Sequence, residues 1–378
     1  MSDITRGVAK TIPADLAKQK LSSGKKLRLY WGIDPTGARI HVGHAVPLRT
    51  MQRFVEAGHE VIFLVGSFTA MIGDPTGKDT MREPLTREQV EKNFQTYKEQ
   101  ASKILDFSKV RIAYNHEWLE KLTFREILGL ASNFTVNQMI ERDMFEKRLN
   151  DGKPIAVTEF LYPLMVGYDS VVLDVDVELG GTDQEFNMLA GRTLQKAFGK
   201  REKFVMTTKL LEGTDGRKMS KSYDNCIYLD DAPNEMFGKV MSVKDDLMEQ
   251  YFELCTNVDM AEAKKVLKGN PRDAKVRLAK EIVTLYHGAA AADAAVANFE
   301  QVFAKGGVPD DMPETTANKG ESLLDLLARE KLIASKSDGR RLIEQGAVTL
   351  DGSPVTAIDV PATSGVVKVG KRKFIRVK

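Results

Sequence analysis

Residues 25–68 read KKLRLYWGIDPTGARIHVGHAVPLRTMQRFVEAGHEVIFLVGSF. Two apolar runs of strand length, 25–33 and 59–68, flank a stretch with helical spacing. Val46, Met51, Phe54 and Val55 mark its apolar face, and Gly58 stops it. Strand, helix and strand in succession form a βαβ unit. That unit implies an α/β fold with a doubly wound parallel sheet, Rossmann-like, and ligands at the carboxyl ends of its strands.

The alternation continues outward. Residues 86–105 have the pattern of an amphipathic helix and 109–114 that of a strand. Residues 121–148 are largely helical, with Thr123 and Glu126 in the form of a capping box. VDVELGGTDQEFNMLAGRTLQKAF, from Val175, repeats strand, glycine turn and helix. The loop 211–225, LEGTDGRKMSKSYDN, is polar and punctuated by glycine. From 232 to 303 the pattern is helical without clear strands. AKGGVPDDMPETTANKGES then reads as a linker. Beyond it come two short helices, a strand and the turn Asp351-Gly352.

Length and composition bound the function classes. A chain of 378 residues is expected to hold two or three domains. With 42% hydrophobic and 29% charged residues it is an ordinary globular protein, and its net charge of +2 gives no global polyanion signal. The end of the chain differs: Lys319 to Lys378 carries twelve Lys/Arg against seven Asp/Glu. The closing stretch GKRKFIRVK suits a strand with one cationic face. Two cysteines cannot build a disulfide framework or a Cys-rich zinc site. No apolar signal core opens the chain, and no run approaches the ~20 apolar residues of a membrane span. A cytoplasmic location without membrane contact is expected.

His41 and His44 are two of only five histidines. As a metal pair they need a third ligand, which no neighbouring cysteine supplies. They could be plain structural residues. Their position favours another role: the pair follows a strand and the turn DPTG and opens a helix, where free N–H groups and partial positive charge attract anions. Gly43 removes a side chain where a base or ribose needs close approach. The sequence contains neither GxxxxGK[ST] nor GxGxxG, so this is a nucleotide site without a glycine-rich phosphate loop. Far along the chain KMSKS, 218–222, places Lys218 and Lys221 three apart between hydroxyls. Alone it is an ordinary solvated loop; together with HVGH it suits a triphosphate clamp.

HVGH and KMSKS resemble the two signatures of class I aminoacyl-tRNA synthetases. The wider pattern resembles bacterial-type tyrosyl-tRNA synthetases, through YWGIDPTGARIHVGH (30–44), IGDPTGK (72–78), EFLYPLMVGYDS (159–170), ELGGTDQEFN (178–187), GRKMSKS (216–222) and APNEMFGKVMS (232–242). ASKSDGRRLIEQGAVTLDGSPV resembles the small RNA-binding module that these enzymes share with a ribosomal protein. The resemblance spans essentially the whole chain. It implies a catalytic domain over 1–228, with a connective insertion near 120–160 and the lysine loop at 213–224. An α-helical anticodon-side domain over 229–304, a linker at 305–319 and the small α+β RNA-binding module over 320–378 follow.

The implied reaction joins tyrosine to ATP and then to the terminal ribose of tRNA(Tyr). His41 and Thr36 are expected to face the departing pyrophosphate, and His44 the ribose or its neighbouring oxygen. Lys78, Arg82, Lys218 and Lys221 are expected around the phosphates; as loop cations they would otherwise simply be solvated. Gly32, Asp34, Gly43, Gly181 and Asp183 are expected at ATP, with Asp183 accepting from ribose hydroxyls rather than merely capping the next helix. Tyr30 and Asp169 should flank the substrate phenol. A site built to pair that hydroxyl rejects the analogue lacking it. Tyr30 would otherwise be a core aromatic, whereas a carboxylate inside YPLMVGYDSVVL must find a partner.

Asp74 and Tyr162 should hold the ammonium group, and Gln184 the carboxyl or adenylate carbonyl. The family usually has glutamine where this chain has Val166. The missing contact to a charged amine costs about 1.5–3 kcal/mol unless Gln184 or a water replaces it. Mg²⁺ is expected to arrive on ATP, with no dedicated protein metal site. Lys336, Arg340 and Arg341 share one helical face and, with Lys371, Arg372, Lys373 and Arg376, are expected to meet RNA phosphates. A homodimer joined around 120–160 is implied. Three rival readings remain at this point: a small-molecule adenylyltransferase, a catalytically silent RNA-binding paralogue, and a ligase for another aromatic amino acid.

Overall fold

The computed structural model describes residues 4–76, 85–140, 143–220, 223–301, 312–370 and 373–378. Its central sheet has six strands: β1 Val8–Ile12, β2 Arg28–Ile33, β3 Glu60–Val65, β4 Val110–Tyr114, β5 Val177–Gly181 and β6 Phe204–Thr208. Their spatial order is β1-β6-β5-β2-β3-β4. Every pair is parallel except β1 with β6. The sheet is thus doubly wound as the sequence implies, with an antiparallel edge strand that its pattern does not announce. Strand order reverses between β2 and β5, and a crevice opens there at the carboxyl ends.

The strands are apolar on both faces because both faces are covered. Leu29 and Trp31 of β2 join Val61, Phe63 and Val65 of β3 on one side; Tyr30, Ile62 and Leu64 point to the other. Helices α1 Ala14–Ser22, α2 Val42–Glu56, α3 Thr69–Ile72 and α4 Arg87–Ala101 lie between the early strands, with α1, α2 and α4 packed on the first face. After β4 come α5 His116–Leu119, α6 Phe124–Ala131, α7 Val136–Ile140, α8 Asp143–Asn150 and α9 Val157–Leu173. Thr123 caps α6, its hydroxyl accepting from Glu126 N. The apolar run around Asp169 is α9, which pairs closely with α10 Glu185–Ala197. Tyr162, Val166 and Asp169 fall at i, i+4 and i+7 and so form one stripe along α9.

Helices α11 Pro233–Met241, α12 Met248–Cys255, α13 Met260–Leu267, α14 Pro271–His287 and α15 Ala289–Phe299 follow. Their buried residues Phe237, Tyr251, Phe252, Leu278 and Ile282 belong to the same apolar core as Phe54, Phe63 and Phe204 of the sheet region. Arg49 of α2 reinforces the junction, donating to Thr256 O at 2.6 Å.

The chain ends in a second sheet, β7 Glu314–Thr315, β8 Val348–Leu350, β9 Ser353–Pro354, β10 Gly365–Val369 and β11 Lys373–Val377, ordered β7-β11-β10-β8-β9. It packs with α16 Leu323–Arg329 and α17 Lys336–Glu344 on a separate core. Asp351 and Gly352 both have positive φ, 47° and 80°, as a two-residue hairpin turn requires. The closing strand forms, but its cationic face does not. Lys373 and Arg376 are three apart on a period of two, so they point to opposite faces, Arg376 with Phe374 and Lys373 with Ile375. Among the described residues no helix is long and apolar enough to cross a membrane.

Candidate active site

The crevice between β2 and β5 is a cleft of about 690 Å³. It brings together Tyr30, Gly32, Asp34, Thr36, His41, Gly43, His44, Asp74, Tyr162, Val166, Asp169, Gly181, Asp183, Gln184 and Lys218. These come from two strand ends, one helix start, the segment after α3, the stripe on α9 and a distant loop. Lys78, Arg82 and Lys221 lie outside the described residues, as do Lys371 and Arg372.

At the helix start, His41 is the N-cap of α2 and its backbone N–H donates to His44 Nδ1 at 3.3 Å. A neutral His44 that accepts at Nδ1 carries its proton on Nε2, which leaves a donor on the far side of the ring. The two imidazoles lie with centroids 3.9 Å apart and planes tilted by 40°. A Cβ on Gly43 would stand 3.0 Å from the His41 ring and 3.7 Å from Met219 Sδ, so the glycine admits both. Met219 is the second residue of KMSKS and is buried. The segment after that loop pairs with the segment before α2: Val42 N donates to Ile227 O at 2.9 Å and Leu229 N to Ile40 O at 3.1 Å. Among the described residues, no cluster of three His, Cys, Asp or Glu side chains forms a metal-binding group.

Asn225, which the sequence pattern does not single out, ties the lysine loop from inside. Its Oδ1 accepts from Ser220 N at 2.9 Å, and its Nδ2 donates to Asp215 Oδ1 at 2.8 Å and Lys218 O at 3.2 Å. The bond from Asn225 helps hold the Asp215 carboxyl at about 2. Lys218 Nζ reaches to 3.8 Å from Asp183 Oδ2. Desolvation in the cleft raises the Asp183 pKa, and the Lys218 cation opposes that rise.

The deep end is a network of acceptors. Asp169 is 2% exposed and accepts from Trp118 Nε1 at 2.7 Å and Asn115 Nδ2 at 3.2 Å. Burial pushes its carboxyl well above the usual range, and those two donors pull the other way. Burial likewise pushes the phenols of Tyr30 and Tyr162 up, helped by Glu178 and Asp169 for Tyr30 and by Asp34 and Asp74 for Tyr162. Trp118 and Asn115 are residues that sequence reasoning missed. Both belong to the turn at β4's carboxyl end, the very place where a doubly wound sheet puts ligand contacts.

Asp34, expected at ATP, lines the cleft beside Tyr162 and Thr69. Its carboxylate accepts from the Tyr162 hydroxyl at 2.8 Å and from Thr69 Oγ1 at 2.7 Å, which turns it toward the α9 side of the cleft. Gln184 donates to Asp74 Oδ2 at 2.8 Å and accepts from Asn187 Nδ2 at 2.8 Å. An amide thus contacts the Asp74 carboxylate although position 166 is valine. In the C-terminal sheet region Lys336, Arg340 and Arg341 are all exposed on α17. Lys336 pairs with Asp325 at 2.5 Å and Arg341 with Asp338 at 2.6 Å, while Lys373 Nζ donates to Leu332 O at 2.9 Å.

Comparison with known proteins agrees with this geometry. The sequence model of the family described as tRNA synthetases class I (W and Y) matches residues 22–304, and that of the tyrosine–tRNA ligase SYY-like C-terminal domain matches 304–377. The chain is 50% identical over 385 residues to tyrosine–tRNA ligase 2 of Vibrio cholerae, covering 100% of this chain and 98% of that protein. It is 48% identical over 388 residues to tyrosine–tRNA ligase of Shewanella oneidensis, with the same coverage. Among solved structures, a C-terminally truncated mitochondrial tyrosyl-tRNA synthetase of Aspergillus nidulans gives a TM-score of 0.67 at 26% identity, covering 79% of this chain and 92% of that one. With the two class I signatures meeting at one crevice and both family matches spanning the chain, this protein belongs to the tyrosine–tRNA ligases of the class I synthetase family.

Proposed function

We propose that the cleft binds tyrosine at its deep end and ATP at its mouth, and that the substrates react by direct displacement. A tyrosine carboxylate oxygen attacks the α-phosphorus, its bond to the β-phosphate oxygen breaks, and pyrophosphate leaves. The terminal ribose hydroxyl of tRNA(Tyr) then attacks the tyrosyl carbonyl, and AMP departs. No protein nucleophile is required, so positioning and charge stabilisation carry the rate. Mg²⁺ travels with the ATP phosphates, where hard oxygen ligands suit it.

In this reading Tyr30 and Asp169 meet the phenol, while Asp74, Tyr162 and Gln184 meet the ammonium and carboxyl. The contact of Gln184 with Asp74 holds the carboxylate that Val166 cannot reach. Asp34 braces Tyr162. Asp183, with Gly32 and Gly181 beside it, takes the ribose, and His44 meets the ribose or its neighbouring oxygen; Thr36, His41 and Lys218 meet the phosphates, joined by Lys78, Arg82 and Lys221. The observation that carries the proposal is the meeting of the α2 start with the lysine loop, through Met219, Gly43 and His41.

The same reading gives the chain's surroundings. The helices from α11 to α15 lie on the anticodon side, and the C-terminal region grips RNA phosphates with Lys336, Arg340, Arg341 and Lys373, together with Lys371 and Arg372. The protein works in the cytoplasm as a homodimer. Phe124, Leu128, Val136, Leu149 and Val157 support the dimer, since all are large apolar side chains left exposed within one region of the chain. Amino-acid-dependent exchange of pyrophosphate into ATP tests the activation step. Exchange with tyrosine alone among the twenty amino acids is expected; exchange with none, or equally with phenylalanine, refutes it.

A further inference from the structure

At the wall of the cleft, which Glu178 helps to line, lies a charged pair that the reaction just described does not use. Lys203 precedes β6 and is 1% exposed; its ammonium contacts Glu178 Oε2 on β5. Lys203 Nζ also donates to Ser170 Oγ at 2.7 Å. Ser170 Oγ in turn stands 3.1 Å from Glu178 Oε2 and 2.9 Å from the Tyr30 hydroxyl. Room for this cluster depends on Gly191 of α10. A Cβ there would lie 2.4 Å from both Lys203 Nζ and Ser170 Oγ. Replacing a buried ion pair by well-packed apolar residues is often neutral or stabilising, so stability alone does not account for this one.

Proton bookkeeping supplies a role. Ser170 has one O–H and two lone pairs. The Glu178 carboxylate is the strongest acceptor in reach, so the Ser170 proton points to it. With one lone pair taking an N–H of Lys203, the other is left for the O–H of Tyr30, which also faces the Glu178 carboxylate. The single proton of Tyr30 therefore points away from the cleft, and its oxygen offers only lone pairs to a ligand. Asp169 beside it is held by two donors behind.

We infer that Ser170, Glu178 and Lys203 are positioning residues that fix Tyr30 as a hydrogen-bond acceptor, so that the pocket selects amino acids whose para substituent donates a proton. This deepens the tyrosine reading above and rests on it. A para hydroxyl donates once and a para amine twice. A para fluorine or hydrogen leaves the acceptors of the pocket unpaired, the arrangement that gives strong rejection.

The test is pyrophosphate exchange with tyrosine, 4-aminophenylalanine, 4-fluorophenylalanine and phenylalanine, in the full chain and in Ser170→Ala and Lys203→Met. The native protein is expected to use the first two and reject the last two. Ser170→Ala removes one oxygen from the relay and leaves the charge pair. It is expected to lose at least about tenfold of the preference for tyrosine over 4-fluorophenylalanine, through KM for the amino acid and with KM for ATP unmoved. Lys203→Met is expected to do the same; if it does not fold, Ser170→Ala decides alone. An unchanged preference in Ser170→Ala overturns this inference and leaves the tyrosine reading intact. Absence of any tyrosine-dependent exchange in the native protein overturns both.

Discussion

Lys218 and Asp183 stand 3.8 Å apart across the cleft, one on a polar loop and the other at the end of β5. The cation favours the ionised form of a carboxyl whose pKa the cleft raises. In the proposed function Asp183 meets the ribose as an ionised carboxylate, which accepts hydrogen bonds from two hydroxyls. Tyrosine activation is therefore expected to fall, as pH drops, at a pH above the ordinary carboxyl value. Removing the cation in Lys218→Met raises the Asp183 pKa further and moves this acid limb upward. Asp183→Asn abolishes the limb and lowers kcat/KM for ATP about 10- to 100-fold, the worth of a hydrogen bond to a charged group. The pH profile of pyrophosphate exchange measures all three; an acid limb unmoved in Lys218→Met contradicts the coupling.

His44 is only partly buried, so His44→Ala leaves little cavity. If it donates to the ribose or its neighbouring oxygen as proposed, the rate of adenylate formation falls about 100-fold, with the melting temperature nearly unchanged. Single-turnover kinetics and a thermal melt separate this from a structural histidine, whose loss would lower the melting temperature.

Asp169 is a case where function and stability oppose each other. Its folded pKa lies well above the usual 3.8, because burial disfavours the charge. The folded state then binds the proton more tightly than the unfolded chain. Its stability contribution is greatest in acid and is lost as pH rises through the raised folded value. At neutral pH, Asp169→Asn is expected to match or exceed the native protein in urea midpoint, while kcat/KM for tyrosine drops about 100-fold. A variant that is less stable yet fully active would contradict this.

Arg148 and Glu159 form a buried pair with two bonds, at 2.6 and 3.0 Å, and Arg148 also donates to Pro154 O. Arg148→Ala strands a carboxylate and is expected to cost about 3–5 kcal/mol in urea unfolding. The double change Arg148→Met with Glu159→Leu removes both charges and should recover most of that loss.

Phe124 and Val157 are 76% and 73% exposed. If copies of the chain meet there, Phe124→Asp with Val157→Asp yields a monomer by sedimentation velocity. A dimer that persists would place the contact on another surface.

Much of the cleft could be read from the chain because its residues sit at boundaries that local pattern marks. His41 and His44 open a helix behind a strand, Asp183 follows a glycine pair, and Tyr162, Val166 and Asp169 repeat at helical spacing. Other parts have no local signature. Trp118 lies in a four-residue helix and Asn115 is its N-cap, a segment too short to show a period. Lys203 meets Ser170 across 33 positions, and nothing near Lys203 distinguishes it from a surface lysine. The edge strand β1 is held by β6 rather than by a hairpin, so no turn announces it. Asp34 was legible as a site residue, but its direction is set by Tyr162, 128 positions away.

The two hydrophobic cores also differ in what they permit. Helices α11 to α15 share theirs with the sheet, so cutting the chain before α11 would bare Phe237, Tyr251 and Phe252 to water. The C-terminal sheet closes on its own leucines and valines. It is the part that can be exchanged, lost or re-aimed without unpicking the core that the central sheet shares with α11 to α15.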